Sequence, residues 1–525
     1  MRGSVENLIA NLAKLAPSCG VLSDASVLSL YGTDIFWRSD FDPVAVLLPE
    51  QETDVVIAVK AAVDLGFKVI PRGGGVSYTK GYLPNGPGAV VIDTGRMNKV
   101  LEVNVSDGYA RAAAGCTWAN LASAVEAAGY TTGYRGPFSG LVSTIAGAVS
   151  QNSGGFGSAG YGTVAEAVLG VSVVLADGRL LRTGSAARNA ARPFSRVNGP
   201  DVTGLFVGDN GAFGVKTEVV LRLRRKPEHL GFASFGFATL EALAEAQCEL
   251  ARHECVSSSF GFDRLKGDLA TRSMRVKDGA ETLLNVARSG RSVVSGLAAA
   301  AKVAISGVGF LTDHAYTLHL SIEGDSASGL ETREGKVRAI CARQGGRELP
   351  NSVPLALHAK PFGPLRGMVG PDGERWVPVH GLFPLSCASD VVAHWQAFMA
   401  TYTKELAEHD IRISLLSMTV GYEFFLEPAF YWKDGLYPIH SVALGDSFVT
   451  SWRDRAVDLA ARETVARLRS EIQAMFAQLG GVSWQVARDY PYRENLDPGF
   501  FRALADIKSA LDPSHAINPG ALGIA

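Results

Sequence analysis

A run of three glycines, Gly73 to Gly75, constrains this chain more than any other feature. It lies inside the segment Pro71–Tyr78 and follows a helix-like pattern over residues 52–67 and a short apolar run over residues 68–70. Without a Cβ atom the backbone can take positive φ values and turn its N–H groups onto an anion. The loop has neither the GxGxxG pattern nor the Gly-Lys-Ser/Thr ending of familiar nucleotide loops. Alone it predicts an anion-binding turn, with a flexible surface turn as the alternative.

Length and charge limit the kinds of partner. A chain of 525 residues exceeds one comfortable core, so two or three lobes with a cleft between them are expected. The net charge of −2 offers no electrostatic footprint for nucleic acid or an anionic membrane. Small molecules and proteins are therefore the expected partners.

Cysteine usage and apolar runs suggest a cytoplasmic location. The six cysteines are scattered, without CxxC pairs or zinc spacing, which favours reduced thiols and no metal site. The first fifteen residues lack the apolar core of a signal peptide. The longest apolar stretch, Val293–Leu311, contains Lys302 and three glycines, so it predicts a buried helix and turn rather than a membrane span, with weak surface attachment as an alternative.

Periodicity predicts an alternation of strands and helices in the first 230 residues and two helices near the C-terminus. The predicted strands are 43–49, 101–105, 109–115 and 215–223, with a hairpin over 168–183 that turns at Asp177-Gly178. The predicted helices are 52–67, 117–128, 456–479 and 499–511. Three further segments, 143–155, 208–214 and 512–520, are rich in small residues and would allow a ligand to approach the backbone closely.

Five segments in a fixed order carry a family resemblance. Residues 71–78, 93–100, 143–155, 208–214 and 512–520 together resemble the vanillyl-alcohol oxidase/p-cresol methylhydroxylase superfamily of FAD-dependent oxidoreductases, over nearly the whole chain. The resemblance implies an α+β fold, with a PCMH-type FAD-binding domain of two α/β subdomains and an α/β cap domain that holds the substrate. It implies three parts: residues 1–228 (FAD domain), 229–483 (cap) and 484–525 (a segment returning to the FAD domain).

The resemblance also implies which residues hold FAD. Backbone N–H groups of the glycine loop would bind the pyrophosphate, a strand and loop at 143–155 would lie along the flavin, and the C-terminal segment would close the site. The residues implied are Pro71, Arg72, Gly73, Gly74, Gly75, Val76, Ser77, Ser143, Thr144, Gly147, Ser150, Gln151, Ser153, Gly154, Gly157, Val215 and Asn518. Several relatives link the flavin covalently to a histidine beside the glycine loop. Here glycines fill that region and no cysteine lies between Leu141 and Gly162, so non-covalent FAD is expected, with His440 as an outside candidate for a linkage.

Within the superfamily the phenol-oxidising branch looks closest. Its members hold a phenolate with a tyrosine of the glycine loop and an adjacent Tyr-Arg pair near the C-terminus, which Tyr78 and Tyr492-Arg493 resemble. Such groups lower the phenol pKa, and the phenolate assists hydride loss from its para substituent to flavin N5 through a quinone-methide-like intermediate. The implied substrate is a 4-alkylphenol or a 4-hydroxybenzyl alcohol, as in aromatic-compound catabolism. Structural roles for these three residues remain the alternative.

One departure from the pattern concerns the active-site base. Members of this branch carry an aspartate after a Tyr-Gly pair, whereas this chain has Thr163 after Tyr161-Gly162 and no acid from Gln151 to Thr163. The base would then be another group, such as His380, or water. A purely structural role for His380 is equally open.

Two other functions stay open. A sister branch oxidises D-2-hydroxy acids such as lactate or glycolate, and there Arg493 or another arginine would clamp the carboxylate. The chain lacks the His-x-Gly-Asp-Gly-Asn cluster common in that branch. A non-catalytic flavin-binding scaffold is the third reading. The resemblance further implies O2 or a redox protein such as a cytochrome or azurin as electron acceptor, and a homodimer.

Overall fold

The computed structural model describes residues 4–273 and 309–524. The predicted helix and turn over 293–311 lie outside these residues except for Gly309–Thr312, which forms a short 3-10 turn. Among the described helices, none is both long enough and apolar enough to cross a bilayer.

The described strands are labelled β1 to β19 in chain order. They are β1 Gly20–Leu22, β2 Ala45–Leu48, β3 Lys68–Arg72, β4 Ala89–Asp93, β5 Val100–Asn104, β6 Tyr109–Ala113, β7 Tyr130–Thr131, β8 Val168–Val174, β9 Leu180–Arg182, β10 Val215–Arg222, β11 Arg224–Arg225, β12 His229–Phe237, β13 Ser258–Asp263, β14 Tyr316–Gly324, β15 Arg347–Leu349, β16 Arg375–Pro378, β17 Gly381–Pro384, β18 Arg412–Val420 and β19 Glu423–Trp432. The described α-helices are Val5–Leu15, Ala25–Tyr31, Glu52–Asp64, Trp118–Ala127, Ile145–Gln151, Ser158–Tyr161, Val164–Ala167, Leu240–Arg252, Arg264–Ser273, Ala327–Arg343, Ser352–Ala359, Ala388–Glu408, Pro438–Leu444, Asp446–Val449, Leu459–Gln478 and Pro498–Leu511.

Two small sheets are built from the first 225 residues. The first has the order β1-β2-β4-β3, with β2, β4 and β3 parallel, and carries the glycine loop directly after β3. The second has the order β5-β6-β10-β8-β9 and is antiparallel. Apolar residues of the helix Glu52–Asp64 are fully buried together with residues of both sheets, which joins the two units through one core.

An eight-stranded antiparallel sheet forms the other large unit. Its order is β15-β12-β14-β13-β18-β19-β16, and β17 pairs with β19 beside β16. The long helices Leu240–Arg252, Ala327–Arg343 and Ala388–Glu408 each bury an apolar stripe, and the first of them contacts both of the others. The remaining face of β18 and β19 is free to line a cavity.

The C-terminal segment returns to the first sheet. Val69 on β3 pairs in parallel with Ile517, with the Val69 N–H donating to the Ala516 carbonyl and the Asn518 N–H donating to the Val69 carbonyl, each at 2.8 Å. Arg488 donates to the carbonyls of Lys80 and Pro519 and to the Asn518 side chain. The segment therefore extends the sheet edge that holds the glycine loop.

Most predicted elements are present, and one prediction was wrong. The strands and helices of the first 223 residues, the hairpin turn at Asp177-Gly178 and the two C-terminal helices are found within a few residues of their expected bounds. The segment 143–155 is not a strand and loop, because its core is the helix Ile145–Gln151. Thr144 caps this helix by accepting the Gly147 N–H, and Asn152 ends it with a φ of 47°.

Candidate active site

One cavity of about 860 Å³ lies between the FAD-domain sheets and the eight-stranded sheet. Its first wall comes from residues 71–82, 137–154 and 210–216, and its second from the cap between residues 262 and 431. Trp484 and Gln485 of the C-terminal segment complete the lining. We call these two sides the loop wall and the cap wall.

The glycine loop packs directly on the segment before the helix Ile145–Gln151. A Cβ at Gly73 would lie 2.3 Å from the Thr144 hydroxyl oxygen, and a Cβ at Gly74 would lie 2.1 Å from the Val142 carbonyl oxygen. Gly75 has a φ of 68°, which disfavours any other residue. The fold therefore brings two sequence motifs 70 residues apart into one backbone surface, which only glycine permits.

Buried polar contacts hold the base of the loop. Arg72 donates to the Asp93 carboxylate at 2.8 Å, and the Tyr31 hydroxyl donates to the same oxygen at 2.8 Å. The Arg72 guanidinium also stacks 4.3 Å from the centre of the Tyr31 ring. Tyr82 donates to the Gly75 carbonyl at 2.7 Å. These contacts fix where the loop begins and where it turns.

The loop wall contains polar atoms that need a ligand. Arg72 Nε, Gln151 Oε1 and Asn210 Oδ1 are buried and have no hydrogen-bond partner among the described residues, although all three residues line the cavity. An unpaired buried polar atom is costly, and native structures contain few. Donors, acceptors and a glycine-lined backbone fit a ligand with phosphate and heteroaromatic groups, as FAD has.

Tyr78 stands where the loop wall meets the cap wall. The loop around it is held by the Ile35 N–H, which donates to the Ser77 carbonyl at 3.2 Å, and by Asp34, which accepts the Lys80 N–H at 2.9 Å. The Tyr78 ring packs edge-on against Trp376 at 5.6 Å. Burial raises the pKa of Tyr78 well above its usual value, and the nearby Glu427 carboxylate raises it further. Its hydroxyl has no hydrogen-bond partner within residues 4–273 and 309–524, so it is a donor available to a ligand.

The cap wall follows the alternation of two antiparallel strands. Residues two apart in a strand point to the same face. On β18 this places Leu416 and Met418 in the cavity, and on β19 it places Phe425, Glu427 and Tyr431 there. The intervening residues of β19, such as Phe424, Leu426 and Phe430, are fully buried on the opposite face. The lining of this wall is thus aromatic and aliphatic with one acid.

Glu427 is that acid, and no protein group satisfies it. Its carboxylate makes no hydrogen bond to any residue that the structure describes. Burial raises the pKa of Glu427 to about 7, while the positive charge of Lys266, which also lines the cavity, opposes this shift. A carboxyl group with a pKa near 7 can accept and release a proton at neutral pH.

His380 lines the cavity but uses both ring nitrogens within the protein. The Trp484 N–H donates to Nε2 at 3.0 Å, so Nδ1 carries the hydrogen and donates to the Tyr490 hydroxyl at 3.1 Å. The His380 N–H donates to the same hydroxyl at 3.0 Å. Burial lowers the pKa of His380 to about 3, so the ring stays neutral and has no lone pair for a substrate proton. This geometry favours the structural reading of His380 over its expected role as a base.

The structure separates other residues that the sequence had suggested as one site. Tyr492 and Arg493 do not line the cavity, and the Arg493 guanidinium lies 4.9 Å from the centre of the Phe501 ring. Near the C-terminus, Trp484 and Gln485 occupy the lining instead. The chain from Gln485 to Tyr490 turns away from the cavity through positive φ values at Gln485 and Ala487. The expected pairing of Tyr78 with Tyr492 and Arg493 is therefore absent among the described residues.

The expected FAD residues fare better. All of them line the cavity except Gly157 and Asn518. The Gly157 N–H donates to Ser258 of β13 at 3.0 Å, and a Cβ there would lie 2.3 Å from the Gly133 carbonyl oxygen, so it serves the contact with the cap. The Asn518 amide donates to the carbonyls of Gly81 and Asn210, which anchors the C-terminal segment behind the loop wall.

Sequence reasoning missed the acid and its cation. Glu427 is the single charged residue among those that alternate toward the cavity on β19, and this period-two pattern could have identified it. Lys266 lies on the helix Arg264–Ser273, where no sequence signal distinguishes it. Thr163, at the place of the missing aspartate, donates to the Asn152 side chain at 2.8 Å and lies outside the cavity lining.

Comparisons with known proteins agree with this site. Residues 43–184 match a protein family described as an FAD binding domain. The glycolate oxidase subunit GlcD of Bacillus subtilis is 29% identical over 222 residues, which cover 42% of this chain and 45% of that protein. The match therefore spans less than half the length of this relative.

Solved structures match the whole fold. A 4-ethylphenol oxidase from Gulosibacter chungangensis superposes with a TM-score of 0.72 at 18% identity, covering 99% of this chain and 98% of that one. A substrate-bound p-cresol methylhydroxylase gives a TM-score of 0.72 at 16% identity, with the same coverage. At such identities the likeness concerns the fold. Together with the glycine-lined loop wall and the FAD-domain match, it identifies this chain as an FAD-dependent oxidoreductase of the vanillyl-alcohol oxidase/p-cresol methylhydroxylase superfamily.

Proposed function

We propose that this oxidoreductase oxidises a para-substituted phenol, a 4-alkylphenol or 4-hydroxybenzyl alcohol. One observation carries the proposal: the Tyr78 hydroxyl and the Glu427 carboxylate have no hydrogen-bond partner among the described residues and line the same cavity beside Trp376, Phe425 and Tyr431. An aromatic enclosure with two convergent polar groups suits an apolar ring that carries one hydroxyl.

In the proposed reaction Glu427 and Tyr78 act on the phenolic oxygen. The Glu427 carboxylate accepts the phenolic proton, and the Tyr78 hydroxyl donates a hydrogen bond to the oxygen as negative charge develops there. The positive charge of Lys266 favours the ionised form of Glu427 before the transfer. The substrate loses one proton and one hydride and becomes a quinone methide. FAD, when bound to the loop wall, supplies the two-electron acceptor for that hydride.

Anaerobic reduction tests the proposal directly. The purified yellow protein is mixed without oxygen with 4-methylphenol, 4-ethylphenol, 4-hydroxybenzyl alcohol, D-lactate and glycolate, and the flavin absorbance is followed. Bleaching by the phenols and not by the hydroxy acids is expected. If no phenol bleaches the flavin, the proposal fails.

A D-2-hydroxy acid is the second candidate. The similarity of the FAD-domain half to the glycolate oxidase subunit favours it, as does the cationic Lys266 in the cavity lining. Against it, the Glu427 carboxylate would face the substrate carboxylate in an apolar wall. Bleaching by D-lactate or glycolate alone would select this candidate, and a protein that binds FAD but is bleached by no substrate would agree with a scaffold.

We also propose that the FAD is held without a covalent bond. Among the described residues that line the cavity there is no cysteine, and the histidine there, His380, has both ring nitrogens engaged. His440 bonds through Nδ1 to the Tyr437 backbone and lies outside the lining. Acid precipitation should release all yellow colour into the supernatant. Colour retained in the pellet would establish a covalent link.

Three expectations remain proposals. They are the division at residues 228 and 483, a homodimer, and electron transfer to O2 or to a redox protein. Limited proteolysis, sedimentation and a comparison of oxygen uptake with cytochrome reduction test them in turn.

A further inference from the structure

The cavity extends beyond the aromatic enclosure into a second space, which we call the apolar arm. Four cap segments form it: the helix Arg264–Ser273, the turn Gly309–Thr312, the helix Ser352–Ala359 and residues 361–371. The side chains that line it are Leu269, Leu311, Val353, Leu357, Leu365 and Met368. None of these residues takes part in the aromatic enclosure or in the loop wall.

The arm is continuous with the place where the phenol is proposed to bind. Leu269 packs in one cluster with Tyr431 and against Trp376, and both of these aromatic residues belong to the enclosure. The far side is closed by the turn Arg366–Met368, which contacts both the helix Arg264–Ser273 and β16. A ligand with its hydroxyl at Tyr78 and Glu427 can therefore extend from the ring into the arm.

Close packing of backbone elements shapes the arm. A Cβ at Gly267 would lie 2.9 Å from the Leu311 Cβ, so the helix and the turn approach as closely as a glycine permits. Leu269, Leu311 and Met368 are more than 90% buried although they line the cavity. A phenol with a methyl or ethyl group would leave this apolar space without contacts, whereas a longer chain would fill it.

We propose that the substrate carries an extended apolar chain, and that the apolar arm binds this chain. The identity of the substrate as a phenol rests on the proposed function, whereas chain binding does not. Burial of each methylene group should raise affinity about three- to fourfold until the arm is filled. The enzyme would then prefer 4-alkylphenols with chains well beyond ethyl.

Two ligand series test the proposal. In the first, kcat/KM for flavin reduction is measured with 4-n-alkylphenols from methyl to nonyl. In the second, dissociation constants are measured with 4-n-alkylanisoles, which have no phenolic proton to lose, through the perturbation of the flavin spectrum. Both values should improve severalfold with each of the first added methylenes. An affinity for alkylanisoles that is flat or falls beyond ethyl would overturn the arm as a chain site. Tight binding of long alkylanisoles without reduction by any phenol would instead refute the phenol reaction alone.

A matched pair of variants locates the effect. Leu357 and Leu355 lie on the same helix and are both half-buried, but only Leu357 lines the cavity. Leu357→Gln should reduce the ratio of nonyl to ethyl affinity at least tenfold, and Leu355→Gln should leave the ratio as in the wild type. Thermal unfolding of both variants, measured with FAD bound, controls for folding. Equal ratios in the two variants would refute the assignment of the chain to this arm.

Discussion

The loop wall and the cap wall recognise ligands by different means. The loop wall presents backbone that three glycines leave bare, together with the unpaired atoms Arg72 Nε, Gln151 Oε1 and Asn210 Oδ1. The cap wall presents side chains, alternating from two antiparallel strands, that are apolar except near Glu427 and Lys266. A wall of backbone tolerates almost no substitution, whereas a wall of side chains can be changed one residue at a time. The first suits a fixed cofactor and the second suits a variable substrate.

Removing the bare backbone should break the loop wall completely. In Gly74→Val the new Cβ would lie 2.1 Å from the Val142 carbonyl oxygen, so the loop must move away from its support. The variant should purify without yellow colour, and titration should show at least 100-fold weaker FAD binding. Gly86→Val is the matched control, because a Cβ there meets no atom within 4 Å. A yellow Gly74→Val protein would contradict the account of this wall.

On the cap wall, Glu427→Gln should slow flavin reduction without loss of FAD. Removing a general base costs about 10² to 10⁴ in rate. The wild-type rate should rise with pH around 7, because the base must be ionised and burial raises the pKa of Glu427 to about 7. Stopped-flow reduction across pH 5.5–9 measures both effects. Glu423→Gln, exposed on the same strand, is the control. An unchanged rate and pH profile in Glu427→Gln would exclude this base.

Lys266→Met should shift that pH profile. The positive charge of Lys266 lowers the pKa of Glu427, so its removal should raise this pKa and move the midpoint of the profile upward. The rate at pH 7 should fall, while the rate at high pH should approach that of the wild type. Lys336→Met, on an exposed position of the helix Ala327–Arg343, should leave the midpoint unchanged. A downward shift in Lys266→Met would contradict the assignment.

Two tyrosines on neighbouring turns should separate the walls by function. Tyr78→Phe removes the free hydroxyl and should lower kcat/KM about three- to tenfold with unchanged FAD affinity, the value of one neutral hydrogen bond. Tyr82→Phe removes the donor to the Gly75 carbonyl and should weaken FAD binding instead. Steady-state kinetics and FAD titration of both variants are sufficient. The opposite pattern would mean that Tyr78 serves the cofactor.

The smallest effect is expected at the pair suggested by the sequence. Because Arg493 lies against Phe501 and outside the cavity, Arg493→Ala should change substrate binding less than twofold. Spectral titration with a slow or unreactive phenol measures this. A loss of 30-fold or more would restore Arg493 to the site.

The two walls also differ in how far the sequence predicts them. Glycine runs at 71–78 and 143–155 identify the loop wall because their chemistry is local: bare backbone is visible in any residue row. The cap wall depends on which face of β18 and β19 turns inward and on how the chain leaves the cavity after Gln485, and both are set by tertiary packing. Tyr492 and Arg493 seemed to match a pattern, yet positive φ values at Gln485 and Ala487 redirect the chain before it reaches them.

The pairing of Val69 with Ile517 has a consequence for synthesis. These residues are separated by most of the chain, so a nascent polypeptide can form β3 and its glycine turn early but cannot complete that sheet edge until Ile517 has left the ribosome. Contacts of such long sequence separation form late in folding. The chain thereby acquires an order of assembly, in which the pocket matures last and cofactor capture serves as the final checkpoint of translation.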